Sequence, residues 1–91
     1  MMSSAERISM IQDRINQSLN PVSIDIIDDS HKHVGHASAK GGGHFTVTVV
    51  ADGFAGKSLI QRHRMVYDAI GDGMKTEIHA LSIKARTPDE I

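Results

Sequence analysis

Cysteine is absent from this 91-residue chain, which excludes disulfides, thiol nucleophiles and any metal site built from its own thiolates. An excess of basic charge is missing too. The formal net charge is −1, and Lys and Arg do not gather into a block, so the broad positive field behind non-specific nucleic-acid affinity is lacking. No apolar run is long enough to span a bilayer, and the polar start, Met1 to Arg7, has no apolar centre of the secretory kind. The expectation is a soluble, cytoplasmic protein without membrane contact. Nor is there a Gly-x-Ser-x-Gly elbow or a phosphate loop, and so short a chain has little means to enclose a pocket. We therefore expect neither an enzyme nor a small-molecule substrate.

What is present suits one globular unit. Hydrophobic residues form 40% of the chain and charged residues 23%, so residues 1–91 are expected to fold as a single domain with a modest core. Six histidines are the compositional excess that can carry chemistry, because imidazole both ligates metals and titrates near neutrality.

Ser3 and Glu6 have capping-box spacing, and Ile8, Ile11, Ile15 and Leu19 recur at helical intervals, which predicts a helix over 4–19 closed by Asn20 and Pro21. Val22, Ile24 and Ile26 alternate with polar residues, as in a half-buried strand stopping near Asp28. Residues 29–43 lack periodicity, carry His31, His33 and His36, and end in Gly41, Gly42 and Gly43, the pattern of an exposed loop. Phe45, Val47 and Val49 alternate with Thr46 and Thr48 in a second strand, able to pair with the first as a long-tipped hairpin. Leu59, His63, Val66, Tyr67, Ile70 and Met74 share one helical side, with Arg62, Arg64 and Asp68 on its flanks, giving a helix from 57 to about 70 that Gly71-Asp72-Gly73 breaks, with room for one short turn after it. A last strand follows over 78–85, in which His79 has the parity of Leu81, Ile83 and Ala85 and so belongs to the apolar side. A strand–helix–strand crossover favours a last strand parallel to the second. The predicted fold is α+β, a three-stranded mixed sheet with its helices on one face.

Five short motifs stand in a recognisable order: Asp28-Asp29-Ser30-His31-Lys32-His33, His44-Phe45, Phe54-x-Gly56, Arg62-His63-Arg64-Met65-Val66-Tyr67 and Ile78-His79-Ala80-Leu81. Each is weak alone; together, in this order and spacing, they resemble the BolA family along nearly the whole chain. The resemblance implies a fold similar to the type II KH domain. It also implies a partnership with monothiol glutaredoxins of the Cys-Gly-Phe-Ser type, in which a [2Fe–2S] cluster is shared. The partner's cysteine and glutathione supply sulfur, and the BolA-like chain supplies the remaining ligands. His79 matches the family's ligand near the start of the last strand, and His33 matches the loop histidine of those members without a loop cysteine. His31 and His36 stand close enough to replace His33. Imidazole on one iron is compatible chemistry, and the lack of cysteine means that sulfur for the other iron has to come from a partner, so the chain alone is expected to hold no cluster.

The remaining features weigh less. His63 lies in an apolar helical stripe and reads first as a structural histidine, with metal ligation secondary. Arg62 and Arg64 read as solvated flanks that can also meet an acidic partner. Gly53-Phe54-Ala55-Gly56 matches the GxxG of KH domains in form, but Phe and Ala fill its centre and Asp52 precedes it, so nucleic-acid binding, the competing function, is expected to be weak.

Overall fold

The computed structural model describes residues 3–29, 43–72 and 78–91. Helix α1, Ser4–Leu19, starts at a capping box in which the Ser3 hydroxyl accepts from Glu6 N and Glu6 Oε1 accepts from Ser3 N. These bonds to Ser3, the backbone one foremost, hold the Glu6 carboxyl below its usual range. Asn20 ends the helix in the left-handed region at φ 45°, where its N–H reaches Asn16 O. Strand β1, Ser23–Asp28, then pairs antiparallel with β2, Gly43–Val50. A 3-10 turn at Asp52–Phe54 leads into helix α2, Leu59–Ile70, and strand β3, Ile78–Arg86, returns parallel to β2. A second 3-10 turn, Pro88–Glu90, closes the described chain. Among the described residues the sheet order is β1-β2-β3, with β2 in the centre.

Ile11 and Ile15 of α1, Phe45, Val47 and Val49 of β2, Phe54, Val66 and Ile70 of α2, and Ala85 of β3 form one buried cluster between the helices and the sheet. The helical intervals of α1 and the alternation of β2 both point inward here, which is the expected α+β arrangement. In β1 the half-buried positions are Ile24, Ile26 and Asp28, while Val22 precedes the strand and is exposed. At the other end of the core, Arg14 of α1 donates to Ile70 O at 2.6 Å, placing a cation on the last turn of α2, and Gly71 ends that helix at φ 64°.

Helix α2 departs from the sequence expectation in two ways. It begins at Leu59, not 57, because Ser58 and Gln61 form a second capping box, with Gln61 N donating to Ser58 Oγ and Ser58 N to Gln61 Oε1. Its buried face is Arg62, Val66 and Ile70, whereas Leu59 and Tyr67 are exposed at 66% and 40%. The stripe is rotated because the Arg62 side chain has its own partners inside, so an arginine takes the place that hydropathy alone would give to leucine.

Arg62 is thus a correction to its reading as a solvated flank. Its Nε donates to Lys57 O, one terminal nitrogen donates to Ala85 O at 3.1 Å, and both terminal nitrogens meet the Glu90 carboxylate, at 2.7 and 3.1 Å. The guanidinium carbon also lies 5.9 Å from the centroid of the Phe54 ring. A single cation therefore ties the start of α2, the end of β3 and the C-terminal turn together. That bidentate geometry suits arginine and not lysine.

Candidate functional site

The two ends of the connection that carries His31, His33 and His36 lie at the end of the sheet where β3 starts. Asp28 pairs with Phe45, and Asp29 N donates to His44 O at 2.7 Å, so the β1–β2 ladder runs on one step beyond the strand. Thr46 Oγ1 donates to Asp29 Oδ2 and fastens the point where the chain leaves the ladder. The connection carrying His31, His33 and His36 therefore starts from Asp29 and returns at Gly43, which pairs with Ile78, the first residue of β3. His79 is the next residue of that strand.

The pairing of β2 with β3 slips at this point. Gly43 is opposite Ile78 but His44 is opposite Ala80, so His79 is the additional residue on β3. Such irregularities re-aim side chains and are common beside functional sites. The period-two count from Leu81 back to His79 crosses the slip, and the expected place of the His79 imidazole on the apolar face lies outside the described side chains. His31, His33 and His36 lie outside the described residues altogether, as do Met74 and the short turn expected after Gly71-Asp72-Gly73. His44, in contrast, is half-buried on the same face of β2 as Thr46 and Thr48.

His63 is half-buried and belongs to a different region. It borders a depression of about 530 Å³ between α2 and the second half of β3, reaching Ile83, Ala85 and the Arg62–Glu90 pair. Ile83 is four residues from His79, or about 13 Å along an extended strand. On its outer side His63 adjoins the exposed Ile60, Arg64 and Tyr67. Among the described residues, no three histidine or carboxylate side chains converge to hold a metal ion.

The Gly53-Phe54-Ala55-Gly56 segment forms a 3-10 turn and a bend in which Gly56 takes φ 75° and the Phe54 side chain is wholly buried. In this GxxG the first central residue belongs to the core, and only Ala55 is left exposed between the glycines. What the turn does in this chain is fix the approach to Ser58, the N-cap of α2. Among the described residues no helix is long and apolar enough to cross a membrane.

A family profile described as BolA-like protein matches residues 15–90. This chain belongs to the BolA-like family. Among solved structures, the BolA domain of SufE1 from Arabidopsis thaliana superposes over 100% of both chains with a TM-score of 0.83 at 40% identity. BolA1 from the same plant covers 93% of this chain and 95% of its own, with a TM-score of 0.80 at 36% identity. Curated relatives include the chloroplastic or mitochondrial SufE-like protein 1 of that plant, 41% identical over 89% of this chain, and its chloroplastic protein BOLA1, 41% identical over 92%. This chain spans 24% and 55% of those two relatives' lengths. A relative from Escherichia coli strain K12, named as the DNA-binding transcriptional regulator BolA, is 34% identical over 89% of this chain and is itself covered over 79%.

Proposed function

We propose that this BolA-like chain is a non-catalytic iron–sulfur adaptor that pairs with a monothiol glutaredoxin of the Cys-Gly-Phe-Ser type and gives His79 and His33 to a shared [2Fe–2S] cluster. The observation that carries the reading is the convergence at one sheet end. The two ends of the segment bearing His33, Asp29 and Gly43, are both fixed at this end, and Gly43 pairs with Ile78, next to His79, the additional residue of β3.

The donor set fits one iron and no more. Two imidazole nitrogens satisfy a Rieske-type iron, while the other iron requires sulfur that a cysteine-free chain lacks. The partner's cysteine and glutathione supply it in this reading, so the cluster belongs to the pair. His31 and His36 are reserves for the loop position, and His63, on α2 beside the second half of β3, is not part of this set. Residence in the cytoplasm belongs to the same proposal; the chloroplastic and mitochondrial addresses in the names of the plant relatives are theirs.

The test is to mix the chain with such a glutaredoxin, glutathione, iron and sulfide and to follow the cluster by visible circular dichroism. His79→Ala should abolish the mixed-ligand spectrum and His33→Ala should weaken it. A His79→Ala protein with the wild-type spectrum and cluster lifetime would refute the ligand assignment.

A second reading, a nucleic-acid-binding regulator, draws on the printed name of the Escherichia coli relative. It is the weaker one, because the net charge is −1 and Phe54 in the GxxG is buried. Nanomolar, sequence-selective DNA binding at physiological salt, with the steep salt slope of phosphate contacts, would reverse this ranking.

A further inference from the structure

We infer that the outer edge of β3, together with the depression between it and α2, is a docking surface for an extended polypeptide segment that alternates acidic and apolar residues. This goes beyond the cluster reading and uses a different part of the molecule. The sheet order leaves β3 at an edge among the described residues. Arg86 O accepts from Ala51 N, so Arg86, and by the alternation of a parallel ladder Lys84 and Ser82, turn their backbone groups toward β2. Leu81, Ile83 and Ala85 turn theirs outward. The outward Ala85 O is already taken by Arg62, and the turn at Pro88–Glu90 is tied to the same guanidinium. The N–H and C=O groups of Leu81 and Ile83 then form a short edge bounded on one side by Arg62, the kind of backbone row to which a partner strand adds.

The side chains on either side of this edge specify the occupant. On the helical side, an added strand would project alternate residues into the depression of about 530 Å³, beside Leu59, His63 and Ile83, where an apolar side chain fits. On the other face of the strand its alternate residues would lie next to Ser82, Lys84 and Arg86, all exposed, and the two cations, which also border the rim of the depression, call for carboxylates. A period-two pattern of acidic and apolar residues meets both requirements at once. A second copy of this chain does not, because docking β3 against β3 brings Lys84 and Arg86 together with their own kind. Nucleic acid satisfies the cations but not the apolar lining, and it lacks a strand's spacing of donors and acceptors.

The experiment titrates the full ¹⁵N-labelled chain with a blocked hexapeptide of alternating Glu and Val and follows the backbone amides by NMR. Binding should shift the Leu81 and Ile83 amides and slow their hydrogen exchange, while the Ser82 and Lys84 amides, already bonded to β2, keep their protection. Lys84→Glu combined with Arg86→Glu, both on the exposed face, should weaken binding roughly tenfold at low salt, as expected for two exposed ion pairs, with native amide dispersion retained. A peptide with Lys in place of Glu should not bind. The inference is overturned if millimolar Glu-Val peptide shifts no β3 amide, if the charge-reversed variant binds as the wild type does, or if a single-stranded oligonucleotide occupies this edge and the peptide does not.

Discussion

Replacing Phe54 by Ala separates a core role for the GxxG segment from a recognition role. Phe54 is wholly buried in the cluster with Val66 and Ile70, and its ring lies under the Arg62 guanidinium. Truncating such a phenylalanine costs about 3–5 kcal/mol in lost transfer energy and residual cavity. A domain of this length has a total stability of roughly 5–14 kcal/mol, so the substitution removes about a fifth or more of it. At about 4–8 °C per kcal/mol for a domain of this size, the melting midpoint should fall by at least about 12 °C. Arg62 should lose part of its fixed geometry as well, because the ring beneath it is gone. Thermal and urea unfolding followed by far-ultraviolet circular dichroism measures the effect. Ala55→Lys is the control: it is exposed in the same turn and should change stability by less than about 0.5 kcal/mol. A loss below about 1 kcal/mol for Phe54→Ala would refute the packing argument and reopen the segment as a binding loop.

The Arg62 guanidinium, and after it the Thr87 N–H, lower the Glu90 carboxyl to about 2. A depressed folded-state value means that this pair stabilises the fold above the ordinary carboxylate value, and that the contribution is lost as pH falls from about 4.5 toward 2. Wild-type protein should therefore lose more stability across that window than Glu90→Gln, and parallel pH curves would count against the linkage. Arg62→Lys keeps the charge but not the fork, so it should lower the melting midpoint and raise the Glu90 titration, read by carboxyl NMR. Ser58→Ala removes the α2 capping bond and should cost about 1 kcal/mol in urea unfolding; an unchanged midpoint would show that the cap is energetically idle.

The elements were legible wherever a local signal agreed with its neighbours. Ser3 and Glu6 marked the start of α1, the alternation around Phe45, Val47 and Val49 marked β2, and the strand–helix–strand order implied the parallel return of β3. Ser58 and Gln61 carry a signal of the same kind for α2, one that sets its first residue at Leu59 instead of 57. The motifs from Asp28 to Leu81 were likewise sufficient to suggest the BolA-like family, since order and spacing survive in sequence even when single residues are weak evidence.

Other features depended on contacts between distant parts of the chain. Arg62 reads as a surface cation until Ala85 O and the Glu90 carboxylate, 23 and 28 residues away, satisfy it inside the fold. The slip that makes His79 the additional residue of β3 arises from pairing with Gly43 and His44, and no period within β3 announces it. The outward edge of β3 is likewise a property of the sheet order. Sequence alone determined which residue types can ligate, cap and alternate, because those are local chemistry. Only the tertiary structure decided which cation is buried, which strand lies at the sheet edge, and that Gly43 pairs at the start of β3 beside His79, because each depends on pairing across the chain.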